Sequence, residues 1–226
     1  TQGMIGHSLS INLDSILRRR NRPEATAIVL TRVEVDESDP AFGFPTKPVG
    51  PILSDTQVMS EDWDIAETKI GARRVVASPK PIRILDLDVI KSLVSKNAIV
   101  ICCGGGGIPV VHKDGNYSGV PAVIDKDRLS ALLSIEMNVD ALIISTAIDA
   151  IRTDFGGPNE IVHHQLSVKE ATDYLQAGEF PTGSMGPKVE SLVEVAKKLE
   201  DVKSVLCQPG DAIKALRGES GTTIIS

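Results

Sequence analysis

The sequence has few aromatic residues, no excess of basic charge and no long apolar run. Phe, Trp and Tyr make up 3% of its 226 residues, so aliphatic side chains must form most of the core. The formal net charge of −6 argues against nucleic acid binding, and the basic run at 18–20 is typical of a solvated helix end. No window approaches the 18 uncharged apolar residues of a membrane span, and no signal peptide pattern is found. These features predict a globular protein that uses neither nucleic acid nor membrane.

Cysteine is also scarce, and the histidines are scattered. The three cysteines are an odd number, and Cys102 and Cys103 are adjacent in a predicted strand, where their side chains would face opposite ways. This pattern indicates reduced thiols and a cytoplasmic location. His7, His112 and the pair at 163–164 lack metal-ligand spacing with cysteines or carboxylates. We therefore predict no metal site built from protein ligands.

Strand-like and helix-like segments alternate along the chain. Helical periodicity or composition marks 1–20, 86–96, 125–138, 167–178, 188–201 and 211–218. Apolar runs typical of strands occupy 26–35, 98–103, 140–146, 203–207 and 222–226, and Asp114-Gly115 predicts a hairpin turn. A Pro- and Gly-rich excursion begins at Asp36. The alternation predicts an α/β fold with a mainly parallel, doubly wound sheet that binds ligands beyond the carboxyl ends of its strands.

Four consecutive glycines, Gly104 to Gly107, follow one of these strands. Glycines let an anion approach bare backbone N–H groups, which suits a phosphate. However, no Lys-Ser or Lys-Thr follows as in a P-loop, and the dinucleotide fingerprint is incomplete. From the run alone, a flexible turn remains the alternative.

Three further segments contain candidate ligand-binding residues. Asp125 either caps a helix or holds Lys126 against a transferring phosphate. Lys188, in the first turn of a predicted helix, opposes the helix dipole and thereby indicates a nearby anion. The stretch from Ser145 to Asp149 ends a strand and either binds a ligand or closes a turn.

Several long strings, in order, resemble the carbamate kinases of the amino acid kinase superfamily. They are TQGMIGHSLS, FPTKPVGP, RRVVASPKP, CGGGGIPVV, AVIDKD, GSMGPKVE and ALRGESGTTI. The resemblance implies a three-layer αβα sandwich with a mainly parallel open sheet. It implies one domain over 1–226, with a protruding subdomain at 36–73, and a homodimer. The implied reaction is reversible phosphoryl transfer between ATP and carbamate, which gives ADP and carbamoyl phosphate, with Mg²⁺ bound to the nucleotide.

The resemblance also implies roles for individual residues. Lys126 and Lys188 would neutralise the transferring phosphoryl group, and Asp125 would hold the lysines. The residues implied to contact the acyl substrate are Gly104, Gly105, Gly106, Gly107 and Lys47. Those implied to surround the nucleotide are Ser145, Thr146, Asp149, Met185 and Gly186, with the loop 152–158.

The chain departs from the family pattern in two respects. It lacks the Gly-Gly-Asn phosphate loop that follows the family's first strand and a later His-Gly-Asn segment, so we expect its leading segment to be absent. Ala147, Arg152 and Asp154 stand where many relatives have Asp, Tyr and Asn, which affects the expected nucleotide affinity. The alternatives are a noncatalytic carbamate kinase-like subunit and a related kinase acting on another acid.

Overall fold

The computed structural model describes residues 2–60, 62–68, 70–181 and 183–226. The chain divides into two compact units, Thr1–Leu129 and Ser130–Ser226. Each unit combines helices with parallel and antiparallel strand pairs. The predicted α/β class with parallel pairing is therefore confirmed.

The first unit contains three whole helices and nine strands within the described residues, and a fourth helix begins in it. The helices are α1 (Gln2–Arg19), α2 (Asp55–Ser60), α3 (Leu87–Ser95) and the start of α4 (Lys126–Met137). The strands are β1 (Thr26–Ile28), β2 (Arg32–Val35), β3 (Lys47–Val49), β4 (Ile65–Thr68), β5 (Gly71–Val76), β6 (Pro81–Ile84), β7 (Ile99–Ile101), β8 (Ile108–Lys113) and β9 (Asn116–Gly119). They form sheets of order β6-β2-β8-β9, β1-β7 and β3-β5-β4.

The predicted strand 26–35 is two strands with different partners. β1 pairs in parallel with β7, whereas β2 pairs in parallel with β8 and antiparallel with β6. The change occurs around the buried Thr31, whose carbonyl oxygen accepts a hydrogen bond from the N–H of Ile108 at 2.8 Å. The next N–H, of Arg32, donates to the Asp86 carboxylate at 2.7 Å. These bonds satisfy the backbone where it leaves one strand and enters the next.

The predicted strand 98–103 is likewise shorter, because β7 ends at Ile101. Cys102 and Cys103 lie beyond it. The prediction that the two cysteines belong to a strand is therefore wrong, and the alternation of side chains that a strand imposes does not apply to them. The hairpin prediction is confirmed: β8 and β9 are joined by Asp114 and Gly115, both with positive φ, as a type I′ turn requires.

The second unit packs helices on a four-stranded sheet. Its strands are β10 (Ala141–Ser145), β11 (Ile151–Thr153), β12 (Ile161–His163), β13 (Gln165–Ser167), β14 (Lys203–Cys207) and β15 (Thr222–Ile225). After the end of α4, its helices are α5 (Val168–Gln176), α6 (Met185–Lys198) and α7 (Ala212–Leu216). The sheet order is β10-β14-β15-β13, and β11 pairs with β12 in a separate hairpin.

One apolar face of α6 forms much of the core of this unit. Val189, Leu192 and Val195 are fully buried in a cluster that also includes Leu166 of β13 and Leu206 of β14. The positions 189, 192 and 195 recur at helical spacing, which gives α6 one buried stripe. Within the described ranges, no helix is both long and apolar enough to span a lipid bilayer.

Candidate active site

The glycine run forms a tight turn directly after β7. Gly104 to Gly106 make one turn of 3-10 helix, and Gly105, Gly106 and Gly107 all have positive φ. Gly104 and Gly105 are exposed, and a Cβ on Gly105 would have no atom within 4 Å. Gly105 therefore leaves open space beside the backbone, in which a ligand can approach closely, whereas a Cβ on Gly104 would lie 3.2 Å from Cγ of Gln2.

The other two glycines are required by packing. A Cβ on Gly106 would lie 2.0 Å from the carbonyl oxygen of Ile124, and one on Gly107 would lie 2.6 Å from Cγ2 of Val33. A backbone oxygen cannot move aside as a side chain can, so the contact at Gly106 demands glycine. The turn is thus fixed against the segment that leads into Asp125, and the flexible-turn interpretation is not supported.

Asp125 both caps α4 and binds a lysine from a distant strand. Its Oδ1 accepts hydrogen bonds from the backbone N–H of Asp127 at 2.9 Å and of Arg128 at 3.4 Å. Its Oδ2 lies 2.5 Å from Nζ of Lys47. The Asp125 side chain is 7% exposed and that of Lys47 is 29% exposed. The two interpretations of Asp125 from sequence, a helix cap and a partner for lysine, are therefore compatible.

The sheet containing β3 explains how Lys47 reaches Asp125 across 78 positions. Lys47 in β3 pairs with Val76, the last residue of β5. The next residue, Ala77, forms a parallel bridge with Ala122, and the N–H of Val123 donates to the carbonyl oxygen of Ala77 at 2.9 Å. Asp125 follows only two residues later, so these backbone contacts hold the lysine beside it.

The electrostatics of Asp125 favour its ionised form. Burial by itself would raise the pKa of the carboxyl group. The hydrogen bond and charge of Lys47, the N–H of Asp127 and the charge of Lys126 outweigh burial, so the pKa lies below its ordinary value. The Lys126 side chain is 59% exposed, and its Nζ lies 3.2 Å from Oδ2 of Asp127. The first unit thus presents two lysines beside carboxylates.

The second unit has a cleft of about 230 Å³. It is lined by Thr146, Ile148, Arg152, Phe155, Glu179, Phe180, Pro181, Ser184, Met185 and Lys188. Three residues that the sequence singled out, Thr146, Met185 and Lys188, are therefore together in one cleft. Its wall is mostly apolar, and it carries two cationic side chains, Lys188 and Arg152, against one carboxylate, Glu179. This combination suits an anionic ligand with an apolar or aromatic part.

The other predicted nucleotide residues have different surroundings. Ser145 is exposed at the end of β10 and is not among the residues that line this cleft. Gly186 is buried, and its N–H donates to the carbonyl oxygen of Pro181 at 2.9 Å. Asp149 is not among the residues that line the cleft, but its carboxylate lies 2.9 Å from the guanidinium of Arg152, which is. Gly186 thus ties the first turn of α6 to the loop before it.

Two aromatic residues line this cleft, and sequence reasoning named neither, although Phe155 lies in the loop 152–158 that it expected around the nucleotide. Phe155 is exposed in the loop that joins β11 and β12, and Phe180 is buried just before α6. Each was visible as one of only four Phe in the chain, within FGG or EFP. The loop of Phe155 is held by Asp154, which has φ 48° and accepts a hydrogen bond from the N–H of Asn159 at 2.8 Å. A Phe within a glycine- or proline-containing segment was therefore the sequence feature that could have indicated these two cleft residues.

Comparison with known proteins shows the family to which the chain belongs. The family model described as amino acid kinase family matches residues 35–207. A carbamate kinase of Halobacterium salinarum is 39% identical over 230 residues, which cover 100% of this chain and 73% of that protein. The carbamate kinase-like protein YahI of Escherichia coli is 42% identical over 233 residues, with the same coverage.

A solved structure is also similar over almost the whole chain. The carbamate kinase from Giardia lamblia bound to AMP-PNP superposes with a TM-score of 0.89 at 35% identity, covering 99% of this chain and 72% of that one. Family model, sequence relatives and structure therefore agree. The chain belongs to the amino acid kinase family, in its group of carbamate kinases and carbamate kinase-like proteins.

Proposed function

We propose that the protein is a carbamate kinase, which transfers a phosphoryl group between ATP and carbamate and, in reverse, makes ATP from carbamoyl phosphate. The observation behind this proposal is the 35–39% identity to proteins named carbamate kinase over 99–100% of the chain. The paired Lys47 and Asp125 beside an exposed glycine turn support it independently.

In this proposal the first unit binds the acyl phosphate. The exposed backbone of Gly104 and Gly105 lies against the substrate, and Gly106 and Gly107 fix that turn in place. Lys47 contributes a positive charge that Asp125 positions. Lys126 neutralises charge on the transferring phosphoryl group, since fixed positive charge supplies much of the catalysis in phosphoryl transfer.

The second unit supplies the nucleotide residues. The apolar wall of its cleft, with Phe155, Phe180 and Met185, suits a purine base, and Lys188 suits a phosphate. The Giardia relative is bound to AMP-PNP, which supports nucleotide binding by this protein as well. Thr146 adds an uncharged hydrogen-bonding group to this cleft. Asp149 acts through Arg152.

Magnesium is the cofactor we propose with the nucleotide. Among the described residues, no group of three or more His, Cys, Asp or Glu is arranged to hold a metal ion. This donor set fits a Mg²⁺ that takes most of its ligands from phosphates and water, a common arrangement for this ion. When bound, it would screen the phosphate charge; the proposed work of Lys126 and Lys188 is to hold the phosphoryl group.

The assembly and setting are also proposals. We propose a homodimer in the cytoplasm, where the three free thiols would stay reduced. We further propose a single domain over 1–226 with a protruding subdomain at 36–73. The separate antiparallel sheet β3-β5-β4 supports that subdomain.

A second candidate function is a carbamate kinase-like protein without transferase activity. The observation that favours it is that the Escherichia coli relative, at 42% identity, is called carbamate kinase-like. A third is a kinase for another acid, because the exposed glycine turn recognises a phosphate more than the acyl group attached to it.

Coupled ATP formation from ADP distinguishes these functions. We expect carbamoyl phosphate to support turnover, acetyl phosphate to support little, and Lys126→Ala to lower turnover by two orders of magnitude or more while the thermal melting curve stays unchanged. Lys169→Ala, at a lysine 87% exposed on α5, is the matched control. Absence of ATP formation with every acyl phosphate favours the second candidate, and a preference for acetyl phosphate favours the third.

A further inference from the structure

The hairpin of β11 and β12 contributes to the wall of the cleft in the second unit. Arg152 lies in β11 and Phe155 in the loop that follows it, and both line the cleft. Glu160, at the other end of the loop, accepts a hydrogen bond from the N–H of Gly156 at 2.8 Å and lies 3.3 Å from Nε of Arg152. The position of the hairpin therefore sets the position of two cleft residues.

The side chain of Thr222 connects this hairpin to the four-stranded sheet. Thr222 is the first residue of β15, and its Oγ1 accepts a hydrogen bond from the N–H of Ile151 at 2.8 Å and donates one to the carbonyl oxygen of His163. Ile151 and His163 face each other in the register of the hairpin, at its open end. Thr222 is fully buried, so the hydroxyl that joins the two strands to β15 is shielded from water.

His163 also connects the hairpin to the second aromatic residue of the cleft. A hydrogen bond of 2.9 Å joins Nε2 of His163 to Oγ1 of Thr153. The His163 ring lies 5.3 Å from that of Tyr174, which meets the ring of Phe180 edge-on at 6.4 Å between centroids. A shift of His163 would therefore reach Phe155 through the hairpin and Phe180 through Tyr174.

A hydroxyl group serves both backbone contacts with one atom. The N–H of Ile151 meets an acceptor and the carbonyl oxygen of His163 meets a donor, and a Thr or Ser hydroxyl is both. Val has nearly the shape of Thr but would put a methyl group against these two polar groups in a buried place, which is unfavourable. Ser keeps the hydroxyl and loses only the methyl group.

We propose that Thr222 is a positioning residue for the nucleotide: its hydroxyl holds the hairpin of β11 and β12, and with it the Phe155 loop, in the arrangement that binds ADP. The effect on ADP rests on the proposed function, in which this cleft binds the nucleotide. The residues proposed for the acyl phosphate are in the first unit. Loss of the Thr222 hydroxyl should therefore weaken the binding of ADP and leave the binding of carbamoyl phosphate unchanged.

The test compares Thr222→Val with Thr222→Ser by calorimetry with ADP and by steady-state kinetics. For Thr222→Val we expect the Kd and the KM for ADP to rise about tenfold, with the KM for carbamoyl phosphate and kcat at saturating ADP within about twofold of wild type. Thr222→Ser should restore the affinity for ADP. Thr223→Val is the matched control, because Thr223 is the next residue of β15 and its side chain points to the other face of the sheet.

Amide hydrogen exchange provides a readout that needs neither ligand nor turnover. The peptide that contains Ile151 should exchange faster in Thr222→Val than in Thr222→Ser or Thr223→Val, because its N–H has lost a buried acceptor. If Thr222→Val does not fold, Thr222→Ala takes its place in every assay, since Ala and Ser differ only by the hydroxyl group.

Three outcomes would overturn the proposal: an unchanged Kd for ADP without the hydroxyl, binding by Thr222→Ser as weak as by Thr222→Val, or equal weakening by Thr223→Val. A general loss of stability would lower Tm without separating the KM for ADP from that for carbamoyl phosphate. A protein that binds ADP with the expected order of Kd values but makes no ATP would refute the proposed function and leave the role of Thr222 intact.

Discussion

Gly106→Ala tests whether the glycine turn is fixed against the segment leading to Asp125. The new Cβ would lie 2.0 Å from the carbonyl oxygen of Ile124 and 2.8 Å from its carbonyl carbon, and φ at Gly106 is 100°. Overpacking costs about 1–3 kcal/mol, and an L residue at positive φ adds roughly 1–2 kcal/mol. We expect destabilisation of about 2–5 kcal/mol, the sum of these two effects.

Gly105→Ala is the control that measures the cost of positive φ without the steric clash. Gly105 also has positive φ, 67°, but a Cβ there would have no atom within 4 Å. We therefore expect a loss of only about 1–2 kcal/mol. In thermal melting, each kcal/mol lowers Tm by about 2–4 °C for a chain of this length.

Activity provides a second readout for the same pair. Because Ile124 immediately precedes Asp125, the methyl group that Gly106→Ala adds should displace that carboxylate and lower kcat, whereas Gly105→Ala should mainly raise KM for carbamoyl phosphate. Equal Tm values and equal kinetics for the two variants would show that the turn is not packed against Ile124 and would refute this reasoning.

Three more substitutions test other contacts. Lys47→Met leaves the Asp125 carboxylate without its ammonium partner, at a cost of about 1–3 kcal/mol at pH 7, between the values for exposed and buried pairs. The pKa of Asp125 is lower in the folded protein than in the unfolded chain, where it is about 3.9. The loss of stability is therefore largest above about pH 3.9 and becomes smaller as the pH falls through the pKa of the folded protein. Urea unfolding at about pH 7 and at about pH 3 measures this difference. Arg152→Ala leaves Asp149 without its guanidinium partner beside the cleft. We expect the Kd for ADP, measured by calorimetry, to rise about tenfold, which corresponds to about 1.4 kcal/mol. An unchanged Kd would mean that the nucleotide binds elsewhere. Ser167→Ala removes the capping box of α5, costs about 1 kcal/mol and should lower Tm by a few degrees without affecting kcat.

Local sequence rules predicted the helices and the tight turns well. The helix α5 begins where the Ser167 hydroxyl accepts from the N–H of Glu170 and the Glu170 carboxylate accepts from the N–H of Ser167, a pattern readable from the two residue types. The Asp114-Gly115 hairpin is similar, because two-residue turns demand residues that tolerate positive φ. In both cases the deciding contacts lie within a few residues of each other.

Contacts between distant residues were not predictable in the same way. Nothing in the residues around Lys47 or Asp125 reveals a pairing across 78 positions; only the resemblance grouped them, and their contact depends on β3, β5 and the Ala77–Ala122 bridge.

The hairpin of β11 and β12 was also missed. Each of its strands has three residues, too few for an alternating pattern to be recognised.

The short segment 122–125 joins two parts of the proposed acyl phosphate site. On one side Ala122 and Val123 bond to Ala77, at the end of the strand that pairs with the one containing Lys47. On the other side the Ile124 carbonyl packs against Gly106. A shift of the β3-β5-β4 sheet would therefore act on Asp125 through backbone contacts as well as through the lysine. It follows that the ion pair alone does not determine the position of this carboxylate, and that Lys47→Met should lower turnover by removing positive charge more than by displacing Asp125.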